Sequence, residues 1–234
     1  VNPLPKSLLE RVAHEAAVRP QAPAVIDGRE CWTYTDLWGQ ACGVAAGWSH
    51  EGIRAGDVIA LDTPRSAAQV IGMLAAWQVG AAFLPVGGIP TARRAQVCHD
   101  AQAVRTVTAD DLTAEVERSL GVPRECPVEQ LAYVACTSGS TGRPRAVAIP
   151  HRGIPSLLAA QVDAFELDPY TRCAWALSPV FDASISDLGT ALYAGAALYI
   201  APDPTDPRFL DFLRDAAITC ADVPPAWLAR MDPA

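Results

Sequence analysis

The chain has 234 residues, half of them apolar, which suffices for one large domain or two small ones around a sizeable core. Its net charge of −8 and pI near 4.9 exclude a nucleic-acid polyanion held by a global positive field, so any anion must be gripped locally. Seven cysteines (31, 42, 98, 126, 136, 173, 220) are odd in number and form no Cys-x-x-Cys pair, so free thiols in a reducing compartment are expected. The opening stretch lacks the apolar segment of a signal peptide. The uncharged run between Arg65 and Arg93 is broken by Gly72, Gly80, Pro85 and the Gly87-Gly88 pair. It reads as a buried helix and strand of a cytoplasmic protein with no membrane partner.

In chain order, an amphipathic helix comes first, with Leu8, Leu9, Val12 and Ala16 on one face, ended by Pro20 and Pro23. A hairpin follows, turning at Asp27-Gly28, then a helix from an expected N-cap at Thr35 to about Ser49. Apolar runs at 57–61, 81–86, 104–108, 131–136, 173–177, 196–201 and 218–223 predict strands. Helical periodicity fills 65–79, 91–102, 110–119, 152–166, 183–194 and 206–217. This alternation predicts an α/β fold, a mostly parallel sheet with helices on both faces. The polar connector 119–130 is an expected boundary between lobes at 1–118 and 131–234. The last residues follow a strand and the start of a helix, so the domain is expected to be incomplete at its C-terminus or completed by another chain.

The most informative stretch is Leu131 to Arg145. A buried-strand pattern breaks into Thr137-Ser-Gly-Ser-Thr-Gly142, with arginines at 143 and 145. Glycines let successive N–H groups converge and hydroxyls add donors, so the segment suits an anion, phosphate above all. It is not a Walker A loop, because Arg-Pro-Arg leads into a further strand-like run, Ala146–Ile149, instead of a helix.

With its neighbours, this segment resembles the phosphate-loop signature of the adenylate-forming superfamily, specifically nonribosomal peptide synthetase adenylation domains. Other blocks of that family occur in order: Trp32-Thr-Tyr-Thr-Asp-Leu37, Met73 to Pro85, and Phe181-Asp-Ala-Ser184 with Ala191 to Leu198. The resemblance covers the whole chain but only the N-terminal half of the family's domain, its N-terminal core subdomains, with the C-terminal subdomain absent. It implies attack of an amino-acid carboxylate on the α-phosphate of Mg-ATP, giving aminoacyl-AMP and pyrophosphate. Thr137, Ser138, Gly139, Ser140, Thr141 and Gly142 would embrace the β- and γ-phosphates, with Arg145 in place of the family's lysine and Ala146 in place of its glycine. An arginine keeps the charge and can bind phosphate bidentately.

Taken alone, Asp182 reads as a helix N-cap. The resemblance gives it another role, pairing with the substrate's α-ammonium, and places Phe181, Ala183 and Ser186 in the substrate pocket. The small Ala183 and Ser186 leave room for a bulky, aromatic side chain. His151 matches a family histidine and is expected to be structural, and Asp110/Asp111 and Glu115/Glu117 read as solvated helix charges. Val86-Gly-Gly-Ile-Pro90 lacks an aspartate that the family carries.

The family's magnesium glutamate, ribose-binding aspartate and late catalytic lysine do not occur here, so no catalytic residue and no metal ligand is assigned. Two readings follow. In one, this is part of an amino-acid-activating enzyme completed by another segment or polypeptide, using ATP and Mg2+ and passing its product to a carrier protein. In the other, it is a non-catalytic homologue serving as a binding or scaffold subunit.

Overall fold

The computed structural model describes residues 6–118, 120–137 and 145–229. Helix α1 (Leu8–Val18) starts at a capping box: the Ser7 hydroxyl accepts from the Glu10 amide at 3.2 Å, and the Glu10 carboxylate accepts from the Ser7 amide at 2.6 Å. Leu8, Leu9, Val12 and Ala16 are buried, the face that the periodicity marks. Strands β1 (Pro23–Asp27) and β2 (Glu30–Thr33) form the expected hairpin, with Gly28 at φ +62° in its turn.

Helix α2 (Tyr34–His50) is capped by Thr33, not by Thr35. Strand β2 already ends at Thr33, whose hydroxyl accepts from the Asp36 amide at 3.1 Å, while the Thr35 hydroxyl donates to the Ala16 carbonyl at 3.1 Å. The alternation then runs as read: β3 (Val58–Asp62), α3 (Ala67–Val79), β4 (Ala82–Pro85), α4 (Thr91–Asp100) and β5 (Ala103–Thr108).

The helix expected over 110–119 shrinks to α5 (Ala109–Thr113). Beyond it the chain lies against α2, where buried Gln40 donates to the carbonyls of Leu112 (2.9 Å) and Ala114 (2.8 Å) and accepts from Arg118 Nε (3.0 Å). Gly43 leaves space for this approach, since a Cβ there would meet a Val116 methyl at 2.7 Å. Satisfying carbonyls from α2 replaces the helical bonds that the segment's own pattern predicts.

The rest comprises β6 (Leu131–Thr137), β7 (Arg145–Pro150), α6 (Ile154–Ala164), β8 (Arg172–Trp175), α7 (Asp182–Ala194), β9 (Ala197–Ile200), α8 (Phe209–Asp215), β10 (Cys220–Ala221) and α9 (Pro225–Leu228). The strands form two sheets, β10-β8-β9-β1-β2 and β5-β3-β4-β6-β7. Each is parallel except for one antiparallel hairpin at an edge, β1/β2 in the first and β6/β7 in the second. Both sheets draw strands from each side of 119–130, so that connector does not separate one sheet from the other.

Helix α3 joins them. It is buried from Ala67 to Trp77; its first amide donates to Asp27 Oδ2 of β1 (3.0 Å), and Trp77 Nε1 donates to the Ala132 carbonyl of β6 (2.7 Å). A helix buried all round must be apolar all round, which is why this stretch resembled a membrane span. No helix among the described residues is long and apolar enough to cross a membrane. All seven cysteines are free, with Cys42 and Cys173 buried and Cys31 exposed.

Candidate functional site

The strand pattern of 131–136 and 146–149 produces the antiparallel β6/β7 ladder, whose last pair is Thr137 opposite Arg145. The segment between them therefore leaves and re-enters the sheet at one point, as a strand-to-strand connection, consistent with the exclusion of a Walker A loop. Ser138, Gly139, Ser140, Thr141 and Gly142 lie outside the described residues. Ala146 is exposed on β7, and Tyr133 stacks on Phe83 with ring centroids 5.6 Å apart, fixing the root of the hairpin to β4.

The second half of the site is the start of α7. Its N-cap is Phe181, which makes no side-chain cap, so Asp182 is the first helical residue and not the N-cap that its residue type alone predicts. The Asp182 carboxylate accepts from the Ala183 amide at 2.8 Å and sits at the positive end of the helix dipole. Two positions after Asp182, buried Ser184 accepts from Trp175 Nε1 at 2.6 Å, which locks the helix start onto β8. Phe181, Asp182 and Ala183 are exposed, so the carboxylate is open to a ligand. Its charge reaches Tyr133: burial first, then Asp182, raises the phenol above its ordinary range.

Ser186, one turn further on, lines a cavity of about 40 Å³ between α6, α7, β8 and β10. Its hydroxyl donates to Gln161 Oε1 at 2.7 Å, as does that of Thr190. Asp187 and Asp222 also line this cavity. Burial first, then the Asp222 charge beside it, pushes the Asp187 carboxyl up to about 8. Neither aspartate stands out in the sequence: Asp187 looks like an ordinary helix-surface charge, and Asp222 follows a two-residue strand. Ala183 does not reach the cavity, whose walls combine Phe165, Leu167, Ala174 and Ala191 with the polar groups named.

His151 lies in a 3-10 turn, buried and edge-on to Trp77 at 5.1 Å between ring centroids. Burial pushes its imidazole down to about 4, so it is neutral packing material. Among the described residues no cluster of three or more His, Cys, Asp or Glu is arranged to hold a metal ion.

The model of the family described as AMP-binding enzyme matches residues 12–125 and 112–232. CymA of Salinispora arenicola (strain CNS-205), described as a probable nonribosomal peptide synthetase, is 34% identical over 97% of this chain, which spans 3% of that protein's length. Among solved structures, the complex of VinN with 3-methylaspartate superposes with a TM-score of 0.85 over 97% of this chain and 68% of its own, at 21% identity. The N-terminal subdomain of Klebsiella oxytoca NpsA, in complex with 3-hydroxyanthranilyl-AMSN, gives 0.81 over 92% of this chain and 59% of its own, at 26% identity.

Proposed function

The chain belongs to the AMP-binding enzyme family, and from that premise we propose that it is the N-terminal part of an adenylation domain that activates an amino acid with ATP for nonribosomal peptide or related biosynthesis. The observation that carries the reading is Asp182, an exposed carboxylate at the mouth of α7 whose charge is felt at the root of the β6/β7 hairpin. Attack of a carboxylate on the α-phosphate needs the two substrates held together and the departing pyrophosphate's charge stabilised by fixed donors. Asp182 pairs with the α-ammonium and orients the amino acid. The segment from Thr137 to Gly142, with Arg145, grips the β- and γ-phosphates of Mg-ATP. The Thr137–Arg145 pair supports this, because it sets the two ends of that segment side by side at the edge of the sheet. Phe181, Ala183 and Ser186 border the amino acid.

The nucleoside pocket, the magnesium carboxylate and the catalytic lysine come from elsewhere, either a further segment or a complementing polypeptide, and a carrier protein receives the product. The test is amino-acid-dependent ATP–pyrophosphate exchange on this chain alone and mixed with a candidate complementing chain. Exchange in the mixture establishes an enzyme. Silence in both, with the partner folded and bound, favours the non-catalytic scaffold instead.

A further inference from the structure

Cys173 of β8 and Cys220 of β10 are register partners on neighbouring parallel strands. Paired strands lie about 4.8 Å apart, inside the roughly 4.4–6.8 Å Cα separation that a disulfide spans. Register partners present their side chains to one face of a sheet, and both cysteines line the cavity between α6, α7, β8 and β10. The residues just before them hold the pair in place. The Thr219 amide donates to the Arg172 carbonyl at 3.0 Å, and the Arg172 amide donates to the Thr219 hydroxyl at 3.0 Å. Elsewhere among the described residues the ladders set Cys31 opposite Ile26 and Cys136 opposite Ala146, so no other strand cysteine faces a cysteine.

Environment divides the roles of the two thiols. Cys173 is buried and Cys220 half-buried, so a small reagent reaches Cys220 first. The hydrogen bond with Cys173 lowers the Cys220 thiol to about 7, against burial and the nearby Asp222 charge. The same bond, followed by burial, raises Cys173 above its ordinary range. A thiolate is the reactive form of cysteine, and an accessible one poised beside a second thiol has the arrangement of a redox-sensitive pair. Strand β10 has only two residues, so a covalent bond at Cys220 would hold most of this edge of the sheet.

We propose that Cys220 and Cys173 form a dithiol that reacts with hydrogen peroxide, and that the resulting disulfide straps β10 to β8. The Cys220 thiolate attacks one peroxide oxygen and the O–O bond breaks. A sulfenic acid forms on Cys220, and the second oxygen leaves as hydroxide and takes up a proton to become water. The Cys173 sulfur then attacks the Cys220 sulfur and the S–O bond breaks, the departing hydroxide taking the Cys173 proton to give a second water. Each sulfur is oxidised by one electron, and the peroxide is reduced by two. A dithiol reductant reverses the bond by thiol–disulfide exchange.

The test is to treat the intact protein with hydrogen peroxide and map its cysteines by mass spectrometry. A peptide pair joined through Cys173 and Cys220 is expected, two hydrogens lighter than the reduced pair, with Cys31 still a thiol. Before oxidation, Cys220 is expected to alkylate at least about tenfold faster than the exposed Cys31 near neutral pH. In Cys173→Ser, whose hydroxyl can still donate to Cys220, the sulfenic acid persists and is trapped by dimedone. Cys220→Ser leaves Cys173 unmodified. Amide exchange at Thr219 should slow on oxidation and recover with dithiothreitol. Three results each overturn the proposal: alkylation of Cys220 no faster than Cys31, sulfinic acid on wild-type Cys220 without a bridge, or Thr219 exchange indifferent to the bridge. All three are read on the wild-type protein, so none depends on a variant folding.

Discussion

Gly87 packs directly on the backbone of Thr63: a Cβ at position 87 would come within 1.8 Å of the Thr63 carbonyl oxygen. Its neighbour Gly88 faces Ser178 Oγ, which a Cβ would meet at 2.9 Å, so the Gly-Gly pair seats the turn following β4 between the end of β3 and the approach to α7. This is where the family resemblance leads one to expect an aspartate. The backbone contact leaves no room for a side chain at 87 in this chain. Gly87→Ala is expected to cost about 2 kcal/mol or more, because backbone and not a flexible side-chain end must move. Gly47→Ala is the control: nothing lies within 4 Å of its Cβ, and it sits inside α2, so it is expected to stabilise by roughly 0.5–1 kcal/mol. Urea midpoints of the two variants, moving in opposite directions, check both.

Much of this was legible in the sequence. Strand and helix positions followed from apolar runs and periodicity, since β3, β4 and α3 are buried deeply enough to be apolar throughout. What the pattern does not record is partnership. Nothing local in Pro23 to Asp27 announces that β1 pairs with β9, far along the chain, or that β6 and β7 join β3–β5. For the same reason the split at 119–130, drawn from composition, does not follow the sheets. In the site, Asp182 was legible because its block has a recognisable order. Asp187 and Asp222 were not, because two carboxylates brought together by long-range packing have the same one-letter code as two that lie apart.

Gln40 tests the clearest case in which tertiary bonds override local pattern. Its amide serves two carbonyls and the Arg118 guanidinium while fully buried. Gln40→Leu keeps the volume and removes every one of these bonds, leaving two carbonyls to find water. A loss of about 2–4 kcal/mol is expected. The segment 114–118 should also become a preferred site of limited proteolysis before the rest of the chain unfolds.

Between about pH 4 and 7 the pH dependence of stability carries two shifted titrations of opposite sign. His151 falls from 6.5 to about 4, so between those values the unfolded chain holds a proton that the folded one lacks, and stability drops as pH falls. Asp187 rises from 3.8 to about 8, so over that window the folded chain holds the extra proton, and stability drops as pH rises. Each slope is about 1.4 kcal/mol per pH unit in the limit of complete coupling. These contributions cancel from about pH 4 to 6.5, leaving the Asp187 slope alone from about 6.5 to 7, where the Cys220 thiol, lowered to about 7 by its hydrogen bond with Cys173, begins to titrate with the opposite sign. In Asp187→Asn the upper decline disappears and stability climbs between about pH 4 and 6.5. Melting temperatures of both proteins across pH 4–7 expose the difference, and an Asp187→Asn curve that matches the wild type over that range contradicts the raised Asp187 carboxyl.

Asp182 and Arg145 are assigned to opposite ends of the reaction, and their variants should divide accordingly in the completed enzyme. Asp182→Asn keeps the shape of the side chain and its bond to the Ala183 amide but removes the charge that faces the α-ammonium. Leaving that ammonium unpaired should cost about 3 kcal/mol, roughly a hundredfold in exchange rate at low amino acid. The amino-acid KM should rise, and the ATP KM should stay. Arg145→Ala should do the reverse, raising the ATP KM and slowing exchange, because it withdraws a fixed positive charge from the phosphate end. Arg145→Lys restores the family's usual residue and should keep most of the activity, since a lysine supplies the charge even though it loses the bidentate geometry. The division matters more than the size of either loss. A general weakening of the fold lowers both rates together, whereas a crossed pattern, with Asp182→Asn raising the ATP KM and Arg145→Ala the amino-acid KM, reverses the two ends of the site.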